Sequence, residues 1–433
     1  MITVYFKQAW NLLRQEKLFS AIHIIGTGLS ITIVMVLSIV FYIKIANIYP
    51  ETNRDRMLVV KSVSELYGED NSSSGSISLK LVDEFIRPVT DGVEAVSVMI
   101  DWDEEHYAQL PNNKEQLQII LKFVDVPFWT VFPFHFIEGK PFSEAEFESG
   151  ITSVVVSAST AKRLLGRTDV VGEYISIDFK QYRISGVVKD ASYATATTYA
   201  NVWLPYTINP TYKESYGKGN NIGDMKAFIL ASSVADIAGI KGKIEARVEQ
   251  HNRQEKEFTL NLNGQPDRYW QSTFRFWSNV GPNFRIITMQ YSLLFLILLL
   301  VPAISLSGMT DSRMEKRLAE MGIRRAFGAP SGNLITQIIS ENFLFTLLGG
   351  LAGLLFSYVL ILFSADWVMS IGENFVDLPP EGTKVLFTPS MLINLPVFFI
   401  TLLICFLLNL LTAVIPAWRA SRRNIIYSLN AKQ

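Results

Sequence analysis

One cysteine, Cys405, stands in 433 residues. That excludes a disulfide framework and any multi-cysteine metal site. Charge is also scarce. Charged residues make up 18% of the chain, against about 25% in an ordinary soluble domain. Lys and Arg total 39 against 40 Asp and Glu, so the chain is not a globally basic nucleic-acid binder. The chemistry-bearing motifs are missing as well. There is no G-x-x-x-x-G-K-[ST] run to cradle the phosphates of ATP, and Gly239 to Lys243 has the wrong spacing. There is no G-x-S-x-G, no H-E-x-x-H and no strand-borne G-x-G-x-x-G. The histidines, at 23, 106, 135 and 251, never fall at ligand spacing. Neither an enzyme nor a resident metal or cofactor is expected in this chain.

What is plentiful is hydrophobicity, 49% of residues with a mean hydropathy of +0.24, and it is unevenly spread. Ala21 to Ile43 is 23 residues without Asp, Glu, Lys or Arg; Ile286 to Thr310 is 25 and Met391 to Trp418 is 28. Leu334 to Phe363 carries one acid, Glu341. At 1.5 Å per residue, the shortest run reaches about 35 Å as a helix, enough for a hydrocarbon core of about 30 Å. The pattern predicts four transmembrane helices, at 21–43, 286–310, 334–363 and 391–418. The first run exceeds the roughly 7–15 apolar residues of a signal peptide and reads as an uncleaved anchor.

Basic residues set the orientation. Lys7, Arg14 and Lys17 precede the first run, and Arg313, Lys316, Arg317, Arg324 and Arg325 lie in the 311–333 loop. Arg419, Arg422, Arg423 and Lys432 follow the last run, whereas 364–390 has one base, Lys384, against four acids. Both termini and the 311–333 loop are thus expected on the cytoplasmic side. Residues 44–285 and the short 364–390 loop are expected outside. Residues 1–20, with Phe6, Trp10 and Leu13 at helical spacing, read either as an interfacial amphipathic helix or as an extension of the first span. Residues 419–433 form a cytoplasmic tail.

The 44–285 segment reads as a large α+β domain. Strand, helix and strand follow one another at Met57 to Val63, Ile77 to Ile86 and Val93 to Ile100, with a Ser- and Gly-rich loop at 68–76 and a further strand at Gln116 to Val124. A second strand–helix–strand unit runs through Ala227 to Ala231, Ala235 to His251 and Phe258 to Leu262. Between them, 125–212 has a β-rich character: Val154 to Val156, a short helix at Ala158 to Leu165, a hairpin over Tyr174 to Val188, and Val202 to Leu204. The expected layout is two flanking pieces, 53–124 and 213–274, an inserted β-rich subdomain at 125–212, and stalk ends at 44–52 and 275–285. The acidic run Asp101-Trp-Asp-Glu-Glu-His106 lacks the glycine-containing grammar of a calcium loop and reads as a solvated loop. His23 and Cys405 read as packing residues. Glu341 reads as snorkelling or pairing with Arg324 or Arg325. Gly349 and Gly353 form a small-xxx-small pair that favours close helix packing.

The 311–333 loop is the most informative stretch. Helix-forming residues run to Ala326, bases fill the final turn, and Gly328 offers a stop. Leu318, Met321, Ile323 and Phe327 form an apolar set that needs a partner surface. The run Glu320-Met-Gly-Ile-Arg-Arg-Ala-Phe-Gly-Ala329, the downstream Leu347-Leu-Gly-Gly-Leu-Ala-Gly353 and the ending Pro416-Ala-Trp-Arg-Ala-Ser-Arg-Arg-Asn-Ile-Ile-Tyr-Ser-Leu429 together resemble the permease subunits of MacB/FtsX-type ABC transporters. Tyr49 to Arg56 and the Gly139 to Pro205 region are similar to the MacB-like periplasmic core domain, without a fused ATPase.

The resemblance implies a dimeric permease, with a second copy or a paralogue, working with cytoplasmic ABC ATPase subunits that carry the ATP and Mg. It implies that Glu320, Gly322, Ile323, Arg324, Arg325, Gly328 and Ala329 belong to a coupling helix docked on that ATPase. It implies mechanotransmission, in which ATP-driven closure moves a porter-like and sabre-like outer domain. Cargo would be a peptide, an antibiotic or a lipid-linked molecule. Engagement of a periplasmic adaptor and outer-membrane channel stays open. Membrane lipids are the expected surroundings, and nucleic acid is not expected as a partner. Lipoprotein release or cell-wall-hydrolase control within the same superfamily, and a membrane-anchored sensor or scaffold without an ATPase, are the alternatives.

Overall fold

The computed structural model describes residues 10–11, 13–68, 71–101, 104–110, 116–275, 280–298, 300, 331–364, 387, 389–392 and 395–422. They fall into two compact units: Met1–Phe41, Phe284–Glu373 and Thr388–Gln433 in one, Tyr42–Asn283 and Asn374–Phe387 in the other.

The helices used below are α1 (Lys17–Ile45), α2 (Ala158–Leu165), α3 (Ile237–Gln254), α4 (Phe284–Leu298), α5 (Ser331–Phe363) and α6 (Leu395–Arg422). Segments Ser20–Ile45 and Ile339–Phe363 are long and apolar enough to cross a membrane; the apolar stretches Phe284–Leu298 and Leu395–Leu411 are shorter among the described residues. In this helical unit α5 and α6 pack on each other. Phe41 of α1 meets Tyr291 of α4 edge-on, with ring centroids 4.6 Å apart.

Among the described residues the second unit is built on fifteen strands: β1 (Met57–Val60), β2 (Ser62–Tyr67), β3 (Asn71–Ile77), β4 (Val93–Ile100), β5 (Glu104–Gln109), β6 (Leu117–Val124), β7 (Phe136–Gly139), β8 (Ser153–Ser157), β9 (Tyr174–Ile177), β10 (Lys180–Val188), β11 (Val202–Pro205), β12 (Ile222–Gly223), β13 (Met225–Ala231), β14 (Thr259–Asn261) and β15 (Asp267–Arg268). The two strand–helix–strand units lie together: β13 pairs antiparallel with β1 and β4. Met57–Val60 is buried at every position, because both faces of this part of the sheet are covered. On one face Leu58, Val60, Ala227 and Ile229 meet Ile237, Ile240, Ile244 and Val248 of α3. On the other, Met57, Val59, Phe228 and Leu230 meet an aromatic cluster of Phe128, Trp129, Phe132, Phe134 and Trp203.

The remaining strands close on themselves. β11, β8, β10, β9, β5 and β6 pair in that order, and β6 pairs back to β11 in parallel. The result is a six-stranded ring lined by Ala108, Ile119, Leu121, Val154, Val156, Ile175, Ile177, Ile184 and Val202, with Ala158 and Ala161 of α2 in the same cluster. Closure removes the exposed edges that an open sheet of this size would present. The ring takes in β5 and β6, which precede residue 125. It joins the open sheet through β6, whose Val124 pairs with Met99 of β4.

Three local expectations are corrected. The Ser- and Gly-rich stretch expected as a loop contributes a strand, β3, in unbroken register with β2 from Tyr67↔Asn71 to Ser62↔Ser76; pairing overrides the poor strand propensity of serine and glycine. The acidic run expected as a loop contributes Glu104 to His106 to β5, opposite Leu121 to Ile119. The single strand expected over Met57 to Val63 is broken at Lys61 into β1 and β2, which pair with different partners. The helix expected over Ile77 to Ile86 starts at Leu79, because Ile77 ends β3 and Ser78 is the cap, whose hydroxyl accepts from the Leu81 N–H; it continues in a wider-wound turn over Val82–Ile86.

Candidate functional site

Helical backbone ends at Ile45, and the chain then folds back at once. The last carbonyls of a helix have no partner within it, and here a downstream arginine supplies one. Arg54 Nη1 donates to the carbonyls of Ile43, at 2.6 Å, and Ala46, at 2.7 Å. A cation at a helix C-terminus also suits the helix dipole. The Arg54 Nε donates to Glu51 Oε2 at 2.8 Å, and the two side chains are 2% and 0% exposed. Burial works against the guanidinium's charge, but Glu51 and Tyr269 outweigh it and hold the Arg54 pKa above its ordinary value.

Glu51 is fully engaged. Its Oε1 accepts from the Thr198 N–H at 3.2 Å and the Thr198 hydroxyl at 2.8 Å. Its Oε2 also accepts a short hydrogen bond from the Tyr269 hydroxyl. The Arg54 guanidinium lies over the Tyr269 ring, 4.8 Å from its centroid. Burial first, and Glu51 next, push the Tyr269 pKa up, so that phenol stays protonated and remains a donor. Thr197 Oγ1 lies 3.1 Å from the same hydroxyl. Three stretches of chain therefore meet on one buried ion pair: residues 43–54, the 195–198 turn before β11, and Tyr269 after β15.

The helical unit has its own close contacts. A Cβ added at Gly353 would lie 2.5 Å from the Gly28 carbonyl oxygen, and one at Gly349 would lie 2.9 Å from the Thr27 Cβ. Thr32 Oγ1 donates to the carbonyls of Gly28, at 2.8 Å, and Gly353, at 3.1 Å. Next to this contact, Asn409 Nδ2 donates to Thr346 Oγ1 at 3.2 Å and lies 3.5 Å from Thr27 Oγ1. One polar layer thus touches α1, α5 and α6. His23 packs on Phe345, with ring centroids 5.2 Å apart. Glu341 is 2% exposed and Cys405 is buried.

The coupling-helix residues Glu320, Gly322, Ile323, Arg324, Arg325, Gly328 and Ala329 lie outside the described residues, as do residues 365–386. Gly349 and Gly353 sit together on α5 against α1. Sequence reasoning missed Glu51, Arg54, Tyr269, Gly28 and Asn409. The one available signal was the Glu51-x-x-Arg54 pair directly after an apolar run, which reads as ordinary polar flank. Among the described residues no cluster of three or more His, Cys, Asp or Glu side chains is placed to hold a metal ion.

Comparison with known proteins divides the chain into two regions, the first of which takes in most of α1 as well as much of the sheet unit. Residues 20–247 match the family described as MacB-like periplasmic core domain, and residues 292–425 match the FtsX-like permease C-terminal family. The uncharacterized ABC transporter permease YknZ of Bacillus subtilis (strain 168) is 25% identical over 222 residues, which is 51% of this chain and 51% of that protein. The macrolide export ATP-binding/permease protein MacB 2 of Aeromonas hydrophila subsp. hydrophila is 24% identical over 238 residues, covering 55% of this chain and 34% of that protein. The alignments thus span about half or less of the length of these relatives. Among solved structures, the extracellular domain of the noncanonic ABC-type transporter YknZ from Gram-positive bacteria superposes with a TM-score of 0.31 at 18% identity, over 46% of this chain and 98% of that one. With a MacB-like core domain matched over more than half its length and an FtsX-like region after it, the chain belongs to the MacB/FtsX-type ABC transporter permeases.

Proposed function

We propose that this chain is a permease subunit that turns ATP hydrolysis on a cytoplasmic partner into movement of the 44–285 domain on the far side of a bacterial inner membrane. The observation that carries this reading is the pairing of an FtsX-like region at 292–425 with a core domain at 20–247, in a sequence without a P-loop. Four spans, both termini inside and the large domain outside follow from the apolar runs and the distribution of Lys and Arg. The polar layer at Thr27, Thr346 and Asn409 joins three helices by side-chain contacts, which suits helices that hold a register. In this reading work is done by the outer domain.

In this proposal the permease is a dimer, and Glu320, Gly322, Ile323, Arg324, Arg325, Gly328 and Ala329 meet the ATPase. Cargo is exported from the outer face, and a peptide, an antibiotic or a lipid-linked molecule fits that route. Arg324→Glu combined with Arg325→Glu tests the reading: the cognate ATPase should no longer co-purify, and its stimulated turnover should fall. Unaltered binding together with unaltered turnover refutes it.

A further inference from the structure

The segment after α1 is where a loose tether would be simplest to build, and it is built stiff. Besides the Arg54 bonds, the Tyr49 hydroxyl donates to the Lys189 carbonyl and accepts from the His135 N–H, both at 3.1 Å. Asn53 Nδ2 donates to the Val131 carbonyl at 3.1 Å, and the Asp55 N–H donates to Asn47 Oδ1 at 3.1 Å. Residues 46–53 have little slack in which a displacement could be absorbed.

The choice of chemistry is informative. As static packing, an ion pair this deeply buried has no advantage over an apolar plug of similar volume. What ions and forked donors add is direction: each bond holds one distance and one angle. The Arg54 fork reads the final turn of α1 through two carbonyls. Glu51 hands that position to Thr198 on the ring side and Tyr269 on the return side.

Resting on the coupling function proposed above, we infer that Glu51, Arg54 and Tyr269 form the joint through which displacement of the last turn of α1 is passed into the sheet unit. If that turn shifts, Arg54 either follows it or stays with Glu51 and leaves the Ile43 and Ala46 carbonyls and its own Nη1 donor unmatched, which is disfavoured. Following it carries Glu51, and with Glu51 the 195–198 turn and Tyr269. Arg54 is a positioning residue that grips backbone; the joint itself binds no cargo.

The test uses the full chain in lipid nanodiscs with its ATPase. Spin labels are placed at Leu29→Cys and Phe179→Cys in a Cys405→Ala background, and their separation is measured without nucleotide and with a non-hydrolysable ATP analogue. The parent protein should show a nucleotide-dependent shift. Arg54→Gln should lose that shift while ATPase binding and turnover persist. Glu65→Gln, at a buried carboxylate that instead holds the 219–221 loop, should keep it and so controls for general loosening. If Arg54→Gln does not fold, Arg54→Lys keeps the charge beside Glu51 but loses the fork, and the same loss is expected. A shift that persists in a folded Arg54 variant overturns the joint. A parent protein that neither binds the ATPase nor shifts with nucleotide overturns the coupling reading, and the joint with it.

Discussion

Gly353 stands so close to Gly28 that a methyl group on the former would lie 2.5 Å from the carbonyl oxygen of the latter. Backbone cannot move aside as a side chain can, so this approach of the two helices requires that Gly353 carry no Cβ. Gly353→Ala is expected to lower the stability of the detergent-solubilised protein by about 1–3 kcal/mol, the range for overpacking, as seen in thermal unfolding. Gly350→Ala is the comparison. Its added carbon would meet the Leu402 Cδ1 at 2.4 Å, the far end of a flexible side chain, and should cost clearly less.

Arg54→Met should be among the most destabilising single changes in the sheet unit. Removing one partner of a buried pair costs about 3–5 kcal/mol, and the Glu51 carboxylate would keep Thr198 and Tyr269 as donors but lose its counter-ion. Combining Arg54→Met with Glu51→Leu should recover part of that loss, but not all, because the Ile43 and Ala46 carbonyls would still have lost their donor. Chemical denaturation of the four proteins in the cycle reads the coupling.

A pH effect should trace to Asp125, which is buried at the end of β6. It accepts from the Ser97 hydroxyl at 2.8 Å, the Val98 N–H at 2.7 Å and the Phe128 N–H at 3.1 Å. Those donors favour the anion, but burial outweighs them and pushes its pKa up to about 7. A carboxyl with a raised folded-state pKa takes up a proton on folding, so its contribution is fully present below the unfolded pKa and is lost as pH rises through about 7. The unfolding free energy of the parent relative to Asp125→Asn should therefore decline from pH 4 to pH 7.5 and level off above. A flat difference across that window would refute the assignment.

Asn409→Leu removes the donor that joins Thr346 and approaches Thr27. Inter-helix hydrogen bonds in membranes average about 0.6 kcal/mol and reach about 1.7, so a loss within that range is expected on steric-trap unfolding. A Thr346→Val change should give a smaller loss, and the double variant little more than Asn409→Leu alone.

How far the sequence reaches depends on how local the physics is. The α3 helix was legible because Ile237, Ile240, Ile244 and Val248 repeat at the spacing of one helix face, and all four are buried on it. The hairpin over 174–188 was legible because Tyr174 to Ile177 and Lys180 to Val188 flank a two-residue turn. β3 was not, since Asn71 to Gly75 carries none of the branched or aromatic residues that announce a strand and takes its shape from β2. The ring was not, because its closing step joins Val202 to Leu121 across a long sequence separation. The Arg54 site was hidden for the same reason: Glu51 meets Thr198 147 residues on and Tyr269 218 residues on. The small-residue pair on α5 was visible as a motif, but its counterpart Gly28 reads in the sequence as one more small residue in an apolar run.

The closed ring of β11, β8, β10, β9, β5 and β6 has a mechanical corollary. Its junctions are unequal: β5 meets β6 over five residue pairs, but β11 meets β8, and β9 meets β5, over only two each, so these two short seams are where the hoop gives first. Strain on that part of the protein is thus channelled to two named places, Val202–Trp203 and Ala108–Gln109, while the longer ladders between them keep their pairing.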